Sequence, residues 1–237
     1  MDSLVIKDAN IVNEGSIIEG DVLIKNGRFE QIGSVSNGGH HPEIHFDGDY
    51  LIPGIIDDQV HFRQPGLTHK ADIRTESMAA AAGGVTTFME MPNTIPPATS
   101  IELLEEKYQI AERDSIVNYS FYLGATNDNL DEIMKADYST ICGLKIFMGS
   151  STGNLLVDNE AALDQIFKNA PALIATHCED ESTIQNNLSL FKEKYGDNLN
   201  ASHHPLIRSA QGCYISSSKA IDLAKKHQTR LHILHIS

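Results

Sequence analysis

From Leu51 onward, short apolar runs alternate with longer stretches whose apolar residues recur at helical spacing. The strand-like runs fall near residues 55–62, 85–91, 117–124, 142–147, 172–177 and 230–236. Between them, 72–83, 100–114, 128–136, 158–170 and 206–227 read as helices. Such alternation marks β/α units wound around a parallel sheet. Ser100, and Asp158 before E-A-A-L-D-Q-I-F, supply helix starts, where a short polar side chain satisfies free backbone N–H groups. Gly83-Gly84 and Gly143 punctuate the starts of strands. Residues 178–205 are polar and rich in Asn, Glu and Ser, which predicts a loop or lid with one short helix.

Before Leu51 the pattern is different. Short strands follow one another, and D-V-L-I-K-N-G-R-F-E-Q-I carries Asn26-Gly27 between two apolar runs. That dipeptide tolerates the positive φ angles a two-residue hairpin turn needs. The expectation is a small β-sandwich-like module over residues 1–52, followed by a partial (β/α) barrel over 53–237. A closed barrel of this kind has eight strands, and only about six are present. An open sheet leaves unpaired edges, so the pattern reads as part of a longer barrel.

Four nitrogen-bearing side chains stand at the tails of strand-like runs: His61, Lys145, His177 and His235. In a parallel barrel all strand tails open onto one face. Nitrogen ligands converging from several strands are what a catalytic metal requires. Gln59, His61 and Arg63 occupy alternate positions and so share a face. His232 lies three residues from His235 and is expected to face the helices instead. Cys178 adjoins His177 on a strand, faces the other way, and reads as a buried structural thiol.

Charge narrows the partners. The net charge of −14 argues against nucleic acid and anionic membranes. No stretch approaches the ~20 apolar residues that span a bilayer. The opening M-D-S-L-V-I-K-D lacks the features of a signal peptide. Cys142, Cys178 and Cys213 are odd in number and show no framework spacing, so they read as reduced thiols in a cytoplasmic protein.

The segments P-G-I-I-D-D-Q-V-H-F-R-Q-P-G, A-A-A-G-G-V-T-T-F-M-E-M-P-N-T, G-L-K-I-F-M, T-H-C-E-D, H-P-L-I-R-S and L-H-I-L-H-I-S occur in that order. Together they resemble the amidohydrolase superfamily, and within it the dihydroorotases. The resemblance covers nearly the whole chain. It implies a TIM-type α/β barrel and one or two zinc ions held by His61, Lys145, His177 and His235. It also implies that Lys145 is carbamylated, giving an anionic bridge that offsets metal charge. A lysine paired with a carboxylate is the alternative for that residue.

Arg63 and Asn93 would hold a substrate carboxylate, a task suited to a guanidinium fork and an amide donor. From local sequence alone, Arg63 reads equally as a salt-bridging residue at the barrel mouth, and Asn93 as a turn residue in P-N-T-I-P-P. The implied reaction is reversible cyclisation of N-carbamoyl-L-aspartate to L-dihydroorotate, in a homodimer. The family's proton-shuttling Asp belongs to an eighth strand, so this chain alone is expected to be inactive.

Gln59 stands where the family has its first metal-binding His. An amide oxygen is a weaker zinc ligand than an imidazole. That favours one alternative, a non-catalytic scaffold subunit; another, a hydantoinase- or allantoinase-type hydrolase with a similar fold and metal set, is distinguished by its lesser use for Arg63 and Asn93. Glu179 and Asp180 either orient His177 or belong to a solvated lid. Arg208 is expected to anchor a helix start or an interface.

Overall fold

The two-residue turn at Asn26-Gly27 forms as its sequence predicts. Both residues take positive φ, 50° and 71°, and join two antiparallel strands. The computed structural model describes residues 2–149 and 153–236. Its contacts divide the chain into two compact units, Met1–Ile55 and Ile56–Ser237.

In the first unit, β1 (Ser3–Asn13), β2 (Ser16–Lys25), β3 (Arg28–Gly33), β4 (Glu43–His45) and β5 (Tyr50–Leu51) form one sheet. The order is β3-β2-β1-β4, with β5 also pairing β1. The sandwich-like layering expected here is therefore a single sheet among the described residues. Ile6, Ala9, Ile11 and Val22 bury together on it, packed by Leu4, Ile24, Phe46 and Leu51. Asp21 is nearly buried and is satisfied by Lys7 Nζ at 2.6 Å and by the backbone N–H groups of Asp8 and Val35.

The second unit alternates strands and helices. Its elements are β6 (Ile55–Val60), α1 (Ile73–Ala82), β7 (Val85–Glu90), α2 (Ile101–Asp114), β8 (Asn118–Gly124), α3 (Leu130–Lys135), β9 (Gly143–Phe147), α4 (Glu160–Asn169), β10 (Ile174–His177), α5 (Glu181–Tyr195), α6 (His204–Ile207), α7 (Ala210–His227) and β11 (Leu231–Ile233). The strands lie in chain order, β6 to β11, in one six-stranded sheet. The registers described run parallel, as helical crossovers require.

Alternate strand residues face the helices. Phe88, Phe121, Leu123, Leu144, Ile146 and Ile174 are buried there against Ile73, Leu104, Leu163, Ile166 and Phe167. Each such side chain contributes about 1.5–3 kcal/mol when fully buried. One ion pair lies inside this layer: Lys107 Nζ on α2 sits 2.6 Å from Glu90 on β7, both side chains 1% exposed. The opposite face carries a smaller cluster of Met91, Tyr122, Ala175 and Leu234.

Two local expectations are corrected. Residues 181–195 are not loop with a short helix but α5, a 15-residue helix. Its polar composition reflects a helix that buries little, with Ile184 its buried residue. Asp180 caps it by accepting from Thr183 N at 2.8 Å. His232 does not face the helices. It registers with Ala175, which registers with Lys145, so all three share the inner face. Its Nδ1 lies 3.7 Å from Asp58 Oδ2 on β6, at the other edge of the sheet. Tyr122 Oη donates to the Asp58 carbonyl at 3.2 Å. The sheet is thus curled until side chains of its two edge strands meet across the bore.

Candidate active site

Backbone bonds carry the ladder past the strand ends and set the tails level. Met91 N donates to Val60 O, Met148 N to His177 O and Leu234 N to Thr176 O, at 3.0–3.1 Å. Four nitrogen-bearing residues lie along this rim.

His61 follows β6 directly. Its Nδ1 is 2.8 Å from Asn93 Oδ1, which accepts the ring proton and leaves Nε2 with a free lone pair. Asn93 therefore does more than shape the turn. Burial, the largest influence, holds the His61 pKa below the usual imidazole value, with Arg63, Lys145 and His235 pushing it the same way. Arg63 adopts a left-handed backbone, φ 69°, and its N–H donates to Glu90 Oε1 at 3.1 Å. The buried Lys107–Glu90 pair thus pins the backbone beneath the Arg63 side chain. Ile95 N donates to Pro65 O, so the loops bearing Arg63 and Asn93 are tied together.

Lys145 on β9 is 1% exposed. Its Nζ finds no hydrogen-bond partner and lies 4.4 Å from the centre of the Phe147 ring. Burial lowers its pKa from 10.5 to about 7. The carboxylate-paired lysine weighed as an alternative does not form among the described residues.

His177 ends β10. Its Nδ1 is 3.0 Å from His235 Nε2, and its Nε2 is 2.7 Å from Glu179 Oε2. Burial again lowers the His177 pKa, against the raising influence of Glu179. His235 lies beyond β11 in a left-handed conformation, φ 36°, which breaks strand alternation and turns its ring to His177. Arg208 forks onto Glu179, with Nε donating to Oε1 at 2.8 Å and Nη2 to Oε2. The sequence offered Glu179 as a residue that orients His177, but not its pairing with Arg208, for which the arginine of H-P-L-I-R-S is the only signal. A cavity of about 310 Å³ opens beside it, lined by His177, Glu179, Arg208, Cys213 and His235 among others.

Lys145 and His235 act electrostatically on both His61 and His177, and His177 and His235 are in direct contact. Among the described residues, no three His, Cys, Asp or Glu side chains close to the span of a metal site. Cys178 is 5% exposed, and its thiol donates to Thr176 Oγ1 at 3.2 Å.

A curled parallel sheet of β/α units, with its chemistry gathered at the strand tails, defines a TIM-type barrel architecture. The solved L-hydantoinase from Arthrobacter aurescens superposes with a TM-score of 0.93 at 27% identity, over 100% of this chain and 53% of that one. The dihydroorotase of Methanosarcina acetivorans is 35% identical over 100% of this chain and 50% of its own length. The L-hydantoinase of Paenarthrobacter aurescens is 29% identical over 100% of this chain and 53% of its own. The family model described as dihydro-orotase-like matches residues 48–203, and the chain belongs to that family. It spans about half the length of the curated relatives it matches.

Proposed function

We propose that the chain carries the metal-binding strands of a cyclic amidohydrolase acting as a dihydroorotase, in the cytoplasm and as a homodimer. The substrate pair is N-carbamoyl-L-aspartate and L-dihydroorotate, a step of pyrimidine synthesis. The observation that carries this is the buried Lys145 amine, without a hydrogen-bond partner, on the rim that also bears His61, His177 and His235.

The donor chemistry fits a zinc ion. Two imidazoles held below their usual pKa remain neutral and ligand-competent at neutral pH. An amine with a pKa of about 7 exposes a substantial unprotonated fraction there, as reaction with carbon dioxide requires. His61, His177, His235 and a carbamylated Lys145 would hold one or two ions. Bound zinc would supply a water of near-neutral pKa and polarise the ring carbonyl. Arg63 grips the substrate carboxylate, and Asn93 keeps the His61 ring turned with Nε2 free. The left-handed backbone at Arg63, held by Glu90, fixes where that cation stands.

The similarity to hydantoinases favours a second reading, with an uncharged cyclic amide as substrate. Arg63 speaks for the carboxylate-bearing ring. The test compares the chain alone with the chain joined to the matching C-terminal half of a curated dihydroorotase. Each is assayed on dihydroorotate, hydantoin and allantoin, with and without zinc. Zinc-dependent turnover of dihydroorotate by the joined protein is expected. A preference for hydantoin moves the reading to the second class. Near-zero zinc binding with no turnover of any substrate leaves the scaffold.

A further inference from the structure

We propose that Arg208 and Glu179 form a positioning pair that locks the ring of His177, holding its Nδ1 toward His235. The proposal rests on the metal-site reading for its purpose, but its geometry stands in the chain by itself.

Glu179 Oε2 lies 2.7 Å from His177 Nε2. A carboxylate accepts, so Nε2 carries the proton and Nδ1 the lone pair. Nδ1 is the atom facing His235 Nε2 at 3.0 Å. The ring is thus oriented from behind, with its bare nitrogen presented to the rim. A rim imidazole whose far N–H is held by a carboxylate is the arrangement that fixes tautomer and direction in metal-binding histidines.

The carboxylate is itself held. Arg208 engages both of its oxygens, a planar fork that a lysine cannot reproduce. Both partners sit at rigid junctions. Glu179 lies between β10 and Asp180, the cap of α5, and Asp180 N donates to Gly212 O at 3.1 Å. Arg208 closes α6 through its N–H to His204 O at 2.9 Å, and the next residue, Ser209, caps α7. Gly149, beyond β9, packs so tightly that a Cβ there would overlap the Glu179 carbonyl. The Glu179 backbone is therefore fixed by packing while its carboxylate joins Arg208 to His177.

The test uses the whole chain, first without metal. In ¹⁵N-edited spectra the His177 Nε2–H is expected as a downfield, slowly exchanging resonance. Glu179→Ala abolishes it. Glu179→Gln, which keeps an acceptor oxygen, retains it at a smaller downfield shift. Arg208→Met broadens it by freeing the carboxylate. Zinc alone is then titrated, and Glu179→Ala and Arg208→Met are expected to weaken binding about 10- to 100-fold. An unchanged resonance in Glu179→Gln and Arg208→Met overturns the proposal, whether or not Glu179→Ala folds. Equal zinc affinity in all folded variants overturns it as well. If the resonances respond as stated while the unmodified chain binds no zinc, the positioning pair stands and the metal reading falls.

Discussion

Lys145 is held where a charge is costly. Its folded pKa of about 7 lies below the ordinary 10.5, so between these values the unfolded chain binds a proton that the folded chain does not. Stability should therefore rise with pH across that window, at up to about 1.4 kcal/mol per unit from this residue. Below pH 7 the penalty is complete, and above 10.5 it is gone. Urea unfolding of the metal-free chain at several pH values, beside Lys145→Met, isolates the effect. The variant should be more stable at pH 7 and show a shallower rise; parallel curves would contradict the buried amine.

At this scale the sequence was partly legible. His61, Lys145 and His177 stand out as candidates because each lies in or at the tail of an apolar run. His235 could be found too, but not how it points, because its left-handed backbone breaks strand alternation. That break also explains why His232 was assigned to the wrong face: counting back three positions from His235 assumes an unbroken strand.

Among the elements, α2 and β7 are joined by the Lys107–Glu90 pair in a layer that is otherwise apolar. Burial raises the Glu90 pKa and lowers that of Lys107, each opposed by the partner. Removing one partner strands the other. Lys107→Met should cost about 3–5 kcal/mol, whereas Lys107→Met with Glu90→Leu should recover much of the loss. Chemical denaturation of both variants checks this. Glu90→Leu also releases Arg63 N, so the double variant should regain stability while losing affinity for a carboxylate ligand.

The strand and helix order was readable from periodicity alone, since alternating burial leaves a strong imprint. Helix α5 was not, because a helix that buries so little leaves almost no apolar stripe to detect.

For the molecule as a whole, the change from short strands to β/α alternation near Leu51 suggests a boundary, and the compact contacts divide at Ile55. The extent of curl could not be foretold, since it depends on side chains from opposite sheet edges meeting. Zinc is expected to stabilise the second unit by about 2.7 kcal/mol at a hundredfold excess over its dissociation constant. Calorimetry with zinc, then with a chelator, measures this. Gln59→His should increase the zinc bound per chain, because an imidazole replaces an amide on the strand that leads to His61. Unchanged stoichiometry would mean that Gln59 points elsewhere.

Ala175 is level with His232 and Lys145 in the strand register, and it packs with Met91, Tyr122 and Leu234 on the inner face. The Lys145 amine, 1% exposed, is therefore screened from bulk water by its neighbours. A reagent that modifies it has to displace side chains first, so the rate of that reaction reports how readily the surrounding packing opens.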